Sequence, residues 1–263
     1  MENTFRTRYI YVYCGGQIIE SNTFNNMTKY VFFDLDNTLT RSRSLVTKEM
    51  SILLKQLSKK HEVIIVSGAT AKQIKAQLGH DLSGSYWVMG QNGNMCIDKK
   101  GIILWENKMN WMQKLEVLSY ADGIIRKKLH RNKDKLDLVQ DRGCQISYSI
   151  IGHNEEISKK EHCDPLQLKR LEILKKFPFK SKTVEVKIGG TTCLDFFIKG
   201  YNKGKNVESL YKKMKWKKSE CLYIGDALFP NGNDETVIGV VPTRQVANPK
   251  ETEQVIGNII STK

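Results

Sequence analysis

Proline is scarce in this 263-residue chain, five in all, and no repeat or compositionally biased tract accompanies it. Long disordered or low-complexity segments are therefore not expected. No apolar run approaches the ~20 residues needed to cross a bilayer as a helix. A secretory signal pattern is also missing, because the apolar stretch at 9–13 is short and Gly15-Gly16-Gln17 breaks it. The six cysteines (Cys14, Cys96, Cys144, Cys163, Cys193, Cys221) are scattered, with no C-x-x-C pair. That pattern points to reduced thiols and a cytoplasmic protein, with no membrane partner.

Hydrophobic residues make up 40% and charged residues 27%, an ordinary globular composition with enough apolar mass for one large domain or two modest ones. The formal charge is +14. Its lysines lie in helix-like runs, such as Lys212, Lys213, Lys215, Lys217 and Lys218, where solvated faces are the ordinary explanation. No nucleic-acid-binding module goes with them, and no nucleic-acid partner is expected. A basic surface also suits small phosphorylated ligands.

The organising stretch is Tyr30-Val31-Phe32-Phe33-Asp34-Leu35-Asp36-Asn37-Thr38-Leu39-Thr40. Its aromatic and β-branched first half reads as a buried strand. Two carboxylates one residue apart follow, then turn-prone Asn37 and Thr38. The ends of strands in open α/β sheets are where ligands bind.

Residues 1–27 read as an N-terminal extension, with a strand at 9–13 and a loop at 21–26, and no function is assigned to them. Beyond it the pattern predicts a helix over 47–60, a strand at 62–66, a helix at 71–78 and a strand at 86–89. This rhythm predicts a doubly wound parallel sheet. After Gln91-Asn92-Gly93-Asn94 the pattern changes. Short strands at 95–97, 102–105, 144–150, 183–188 and 193–197 surround helices at 111–129 and 165–177, which suggests an inserted α+β unit with an antiparallel sheet. Trp105, Trp111 and Tyr120 are expected in its core. The doubly wound rhythm returns with a helix at 203–216, a strand at 221–224, a strand at 237–241 and a helix at 249–260. The predicted fold is therefore an α/β, Rossmann-like core over 28–93 and 199–263, with an inserted domain over 94–198.

Four groups then fall above one sheet: Asp34 with Asp36; Ser67 with Gly68; Lys203; and Asp226 with Asn233 and Asp234. Each alone is an ordinary turn or surface lysine, but together they match what phosphoryl transfer needs. Charge spread over the transferred group calls for cationic and hydrogen-bonding partners, which Lys203, Ser67 and the amides at Gly68 can supply. Asp34 is the candidate nucleophile, and Asp36 the candidate acid and base. Mg²⁺, a hard cation, would find oxygen ligands in Asp34 and Asp226 with a backbone carbonyl, with Asp36 and Asp234 as further candidates. A cluster at His153, His162, Cys163 and Asp164 matches no zinc spacing and reads as a polar loop or substrate edge.

The set Asp34-Leu-Asp36-Asn-Thr38, Ser67, Lys203 and Gly225-Asp226…Gly232-Asn233-Asp234 resembles the haloacid dehalogenase superfamily of phosphotransferases, and the inserted unit resembles its C2-type (IIB) cap. A narrower resemblance is to the eukaryotic-type phosphomannomutases. It rests on Asp36-Asn37-Thr38-Leu39-Thr40-Arg41-Ser42-Arg43, Ile188-Gly189-Gly190-Thr191-Thr192-Cys193-Leu194-Asp195 and Phe229-Pro230-Asn231-Gly232-Asn233-Asp234. The resemblance implies a Mg²⁺-dependent enzyme acting on a hexose phosphate, a hexose bisphosphate activator if it is a mutase, and a homodimer through the cap. It also implies that Arg43, Arg142, His153, Lys160, Gly190, Cys193 and Asp195 contact substrate. Three positions depart from that family: His153 and Lys160 stand where it has arginines, and Cys193 where it has a phosphate-binding serine. His and Lys lack the planar two-pronged grip of Arg, which weakens the case for holding a second phosphate. Mutase and sugar-phosphate phosphatase therefore both stand as expectations. A basic, non-catalytic binding protein is disfavoured by the intact Asp34, Asp36, Lys203 and Asp226.

Overall fold

The computed structural model describes residues 11–14, 17–20, 27–129 and 137–261. The expected loop at 21–26 and most of the N-terminal extension lie outside them. Strands β1 (Tyr11–Cys14) and β2 (Gln17–Glu20) pair as an antiparallel hairpin.

Strand β3 (Tyr30–Phe33) lies inside the main sheet, with Val31, Phe32 and Phe33 buried. Period-two alternation sends Val31 and Phe33 to one face and Phe32 to the other. After β3 come helix α1 (Lys48–Leu57), strand β4 (Glu62–Val66), helix α2 (Ala71–Leu78) and strand β5 (Tyr86–Gly90). The Thr47 side chain caps α1 by accepting from the Met50 amide, and Thr70 with Gln73 forms a capping box on α2. The sheet has seven strands, in the order β13 (Thr243–Gln245), β12 (Cys221–Gly225), β3, β4, β5, β6 (Met95–Ile97) and β7 (Ile103–Glu106), with β12 parallel to β3. The chain leaves β3 for β4 on one side and returns to β12 on the other. The crevice between the carboxyl ends of β3 and β12 is therefore a topological switch point.

Strands β6 (Met95–Ile97) and β7 (Ile103–Glu106) differ from expectation. Both were expected in the inserted unit, but they extend the main sheet antiparallel from β5. Gln91, Asn92 and Gly93 all have positive φ, so the chain reverses there and β6 folds back onto β5. Segment 94–198 thus gives its first two strands to the core sheet, and Trp105 with them. Its indole donates to the Gly93 carbonyl at 2.9 Å.

The second sheet is antiparallel, in the order β10-β11-β9-β8. It comprises β8 (Val139–Asp141), β9 (Gln145–Ser149), β10 (Val184–Gly189) and β11 (Cys193–Ile198). Helices α3 (Trp111–Arg126), α4 (Ile157–Cys163) and α5 (Leu168–Lys176) accompany it, and its own core unites Val117, Tyr120, Ile146, Ile173 and Phe196. Tyr120 is in that core as expected. Trp111 is not, being 72% exposed. Helix α4 had no counterpart in the sequence pattern, since Lys160 is its one buried residue.

Helix α6 (Lys203–Lys213) packs on the face of the main sheet opposite α1, α2 and α7 (Pro249–Ser261). The strand expected at 237–241 is a turn, and the edge strand β13 covers Thr243–Gln245 instead. Gly239 with φ +81 interrupts the extended run, and Pro242 brings no amide donor, so pairing begins after it. Among the described residues no helix is long and apolar enough to cross a membrane.

Candidate active site

Asp34 follows β3 directly and continues its alternation, so its side chain leaves the sheet on the α6 face. Lys203, at the first turn of α6, meets it there. Its Nζ lies 2.5 Å from Asp34 Oδ1 and 2.7 Å from Asp234 Oδ1. All three groups are buried. Asp234 also accepts from Tyr223 Oη at 2.7 Å and, through Oδ2, from the Ala227 amide. Burial alone would push the Lys203 ammonium toward neutrality, but Asp234 and Asp34 outweigh it and hold the amine charged. Asp34 is pushed well up, first by burial and then by the charges of Asp234 and Asp226, against the pull of Lys203. No described residue donates to its other oxygen, Oδ2.

Asp226 follows β12 across the switch point. Thr38 Oγ1 donates to its Oδ1 at 3.4 Å, and the Asn37 side chain also hydrogen-bonds it. Burial and then Asp234 raise it to about 6. Carboxylate oxygens of Asp34, Asp226 and Asp234 all lie within 4.8 Å of one another. Beside them Asn233 lines the cavity, with its Oδ1 buried and without a hydrogen-bond partner. One ammonium among three carboxylates leaves excess negative charge, and every available donor atom is a hard oxygen. The residues therefore fit Mg²⁺. Asp36, expected among the ligands, stands outside this acid group. Its Oδ1 is occupied by the Arg43 amide at 2.7 Å, and burial raises its carboxyl against the pull of Arg43. Its place outside the acid group, with one oxygen taken by an amide, suits a proton donor better than a metal ligand. Asp234 lies within this group too, while its contacts with Lys203, Tyr223 and Ala227 also place it to hold Lys203.

Ser67 and Gly68 follow β4. Ser67 is buried, its hydroxyl accepts from the Ala69 amide at 3.1 Å, and both residues line a cavity of about 520 Å³. Asp34, Asp36, Arg43 and Asp226 line the core side of this cavity. Arg142, Lys160, Gly190, Cys193 and Asp195 line the cap side. Asp195 threads a narrow gap. A side chain on Gly189 would put its Cβ 2.1 Å from Asp195 Oδ2, and one on Gly68 would come within 3.0 Å of the same oxygen. Ser147 Oγ donates to Asp195 Oδ1 at 2.7 Å.

Cap and core are docked. Arg142 Nη1 donates to the Gly68 carbonyl at 2.7 Å, Asn92 Nδ2 to Gln145 Oε1 at 2.7 Å, and the Cys144 amide to Gln91 Oε1 at 2.9 Å. Arg43 Nη1 donates to the His153 carbonyl at 2.6 Å, and the Lys160 ammonium donates to the same oxygen.

His153 does not reach the cavity, contrary to its expected substrate contact. It is 1% exposed. Its Nε2 lies 3.0 Å from the Ser147 carbonyl, which can only accept, so the proton sits on Nε2 and Nδ1 accepts from Arg43 Nη2 at 3.3 Å. Burial lowers its pKa to about 4, which leaves the ring neutral. The suspected cluster around it disperses. His162 is exposed, while Asp164 forms a buried ion pair with Arg170 at 2.8 Å. Arg170 carried no expectation, because nothing in a lysine-rich helix separates a buried arginine from a solvated one.

Known proteins resemble this arrangement. The model of the haloacid dehalogenase-like hydrolases matches residues 31–238. Phosphomannomutase of Spinacia oleracea is 29% identical over 244 residues, covering 88% of this chain and 95% of the relative. Phosphomannomutase 1 of Dictyostelium discoideum is 25% identical over 86% of this chain and 94% of its own length. Among solved structures, an N-terminally truncated IMP-nucleotidase of Plasmodium falciparum shares the fold, with a TM-score of 0.63 at 20% identity. The match covers 90% of this chain and 71% of that one.

Proposed function

Because the chain belongs to the haloacid dehalogenase-like hydrolase family, an enzyme family of phosphotransferase and phosphatase type, we propose that it transfers the phosphoryl group of a hexose phosphate through Asp34. The reading rests on one observation above all: Lys203 bridges buried Asp34 and Asp234 at the switch point, beneath a cavity roofed by a cap. Asp34 Oδ2 attacks phosphorus, forming an Asp34–phosphorus bond as the bond to the sugar oxygen breaks. Asp36, whose carboxyl burial raises, gives its proton to the departing oxygen. In the second half, Asp36 takes a proton from the acceptor hydroxyl, which attacks phosphorus and frees Asp34. Lys203, Ser67 and the following amides offset the charge of the transferred group. Mg²⁺, for which Asp34, Asp226 and Asn233 are the fitting ligands, would supply further charge neutralisation at that group when bound.

The acceptor decides the outcome. The span of likeness to phosphomannomutases supports the mutase, converting mannose 6-phosphate to mannose 1-phosphate with a hexose bisphosphate activator. A second reading, phosphatase, is favoured by His153. Where those relatives are expected to carry a cationic grip, this chain has a neutral ring turned away from the cavity, and Arg43 is drawn off to its carbonyl. The exposed Trp111, Met112, Leu115 and Leu118 on α3 support a homodimer through the cap, and the free cysteines support a cytoplasmic setting.

The test supplies mannose 1-phosphate and Mg²⁺, with and without hexose bisphosphate, and follows free phosphate and mannose 6-phosphate. Isomer without phosphate release identifies a mutase, and phosphate release alone a phosphatase. Activity that survives Asp34→Asn would sink both.

A further inference from the structure

The β10–β11 turn carries Gly189, Gly190, Thr191, Thr192 and Cys193 along the cap side of the cavity. Buried Thr192 ties one end of this turn to Ser149, its hydroxyl 3.1 Å from Ser149 Oγ, but Gly190, with φ +48, adds no stiffness. The glycine side is instead held by Arg170, which lines the cavity with Asp164. Arg170 Nη1 lies 3.0 Å from the Gly189 carbonyl, 2.9 Å from that of Gly190 and 3.4 Å from that of Cys193. The rest of the guanidinium is fixed by Asp164, through Nε to Oδ2 at 2.8 Å and Nη2 to the Asp164 carbonyl at 3.3 Å. Arg170 and Asp164 are 1% and 3% exposed. Two buried charges are costly to bring out of water, and only a planar fork can meet the turn's carbonyls through one nitrogen while its other two hold Asp164. Trans peptide geometry turns the Gly190 and Thr191 amides away from the guanidinium. The same anchoring sets the gap through which Asp195 passes Gly189.

Resting on the sugar-phosphate reading of this site, we propose that Arg170, braced by Asp164, is a positioning residue that fixes the Gly189–Cys193 turn as the surface recognising the sugar. It therefore governs which phosphate ester is bound and leaves the phosphoryl chemistry at Asp34 alone. Nothing links Arg170 to Asp34 except the shape of the cavity between them.

The experiment compares two substrates on the full chain with Mg²⁺: mannose 1-phosphate, and acetyl phosphate, which has no sugar for the turn to recognise. In Arg170→Gly, KM for the sugar phosphate rises about tenfold or more with little change in kcat, while kcat/KM for acetyl phosphate stays within about threefold. Guanidinium ion added to that variant lowers the sugar-phosphate KM again. Arg170→Lys, which keeps the charge but cannot hold the turn and Asp164 at once, and Asp164→Asn, which keeps the shape of the brace, give smaller rises in the same direction. Equal loss on both substrates, or an unchanged KM in all three variants, overturns the proposal and leaves the phosphotransferase reading intact. Wild-type protein that cleaves acetyl phosphate but no hexose phosphate overturns it together with the sugar-phosphate reading.

Discussion

Arg43, on the core, donates from Nη1 to the carbonyl of His153, on the cap, at 2.6 Å. Its own amide meanwhile holds Asp36 Oδ1, from a backbone with φ +56. One residue thus ties Asp36, the proposed proton donor, to the position of the cap. The two roles separate in Arg43→Gly, which keeps the amide and adopts the left-handed conformation without strain. This variant is expected to lose about 10- to 100-fold in kcat/KM on the sugar phosphate while changing acetyl phosphate turnover by about threefold or less. Steady-state kinetics on both substrates decide it.

Lys203→Met removes the ammonium between two buried carboxylates. Breaking a buried pair from one side typically costs about 3–5 kcal/mol, because the abandoned charge stays buried. A denaturation midpoint measured in chelator should fall accordingly. Mg²⁺ should restore part of the loss, since it offsets the same carboxylates. A variant as stable as wild type without metal would contradict the placement of Lys203.

Asp226 gives metal binding a pH signature. Burial and Asp234 lift it from 3.8 to about 6, so the metal-free fold favours its protonated form. That contribution is fully present below the unfolded value of 3.8 and drains away as pH rises through about 6. It amounts to about 2 kcal/mol once screening on its solvent-facing side is allowed for. Mg²⁺ needs the ionised form. The rise in melting temperature on adding Mg²⁺ should therefore be small near about pH 5 and large near about pH 7.5. Equal shifts at both pH values would refute the assignment of Asp226 as a ligand.

His153 titrates in the opposite sense. Its pKa is lowered from 6.5 to about 4, so its contribution is present above 6.5 and lost as pH falls through about 4. A proton on Nδ1 would also face Arg43 and stand near Arg142. Protection factors for amide exchange around 152–160, taken relative to the intrinsic rate at each pH, are expected to fall on acidification through that range. In His153→Gln that fall should disappear.

The parallel core was legible because its strands are unbroken apolar runs and its chemistry sits at their ends. Strands β6 and β7 were misassigned for a physical reason. A three- or four-residue alternating strand reads the same whichever sheet edge receives it, and the choice was made by three positive-φ residues at the preceding turn. Helix α4 escaped because its side chains are almost all solvated, so no apolar period announces it. The core acids and Lys203 could be read because their types and order leave few other uses. Two cap residues could not. His153 and Arg170 are polar residues whose roles depend on which carbonyls they meet, Ser147 for one and the Gly189–Cys193 turn for the other.

The seam between cap and core has an unusual electrical character for so basic a chain. Arg142 and Arg43 end on carbonyl oxygens, Asn92 on an amide, and the Cys144 amide on a glutamine. The ion pair Arg41–Glu161 also spans the seam, and its arginine is largely exposed. Neutral acceptors feel little of the ionic atmosphere, whereas an incoming phosphate feels all of it. Ionic strength should thus separate two events usually observed together. Added salt should weaken capture of the anionic substrate while leaving the closed cap closed.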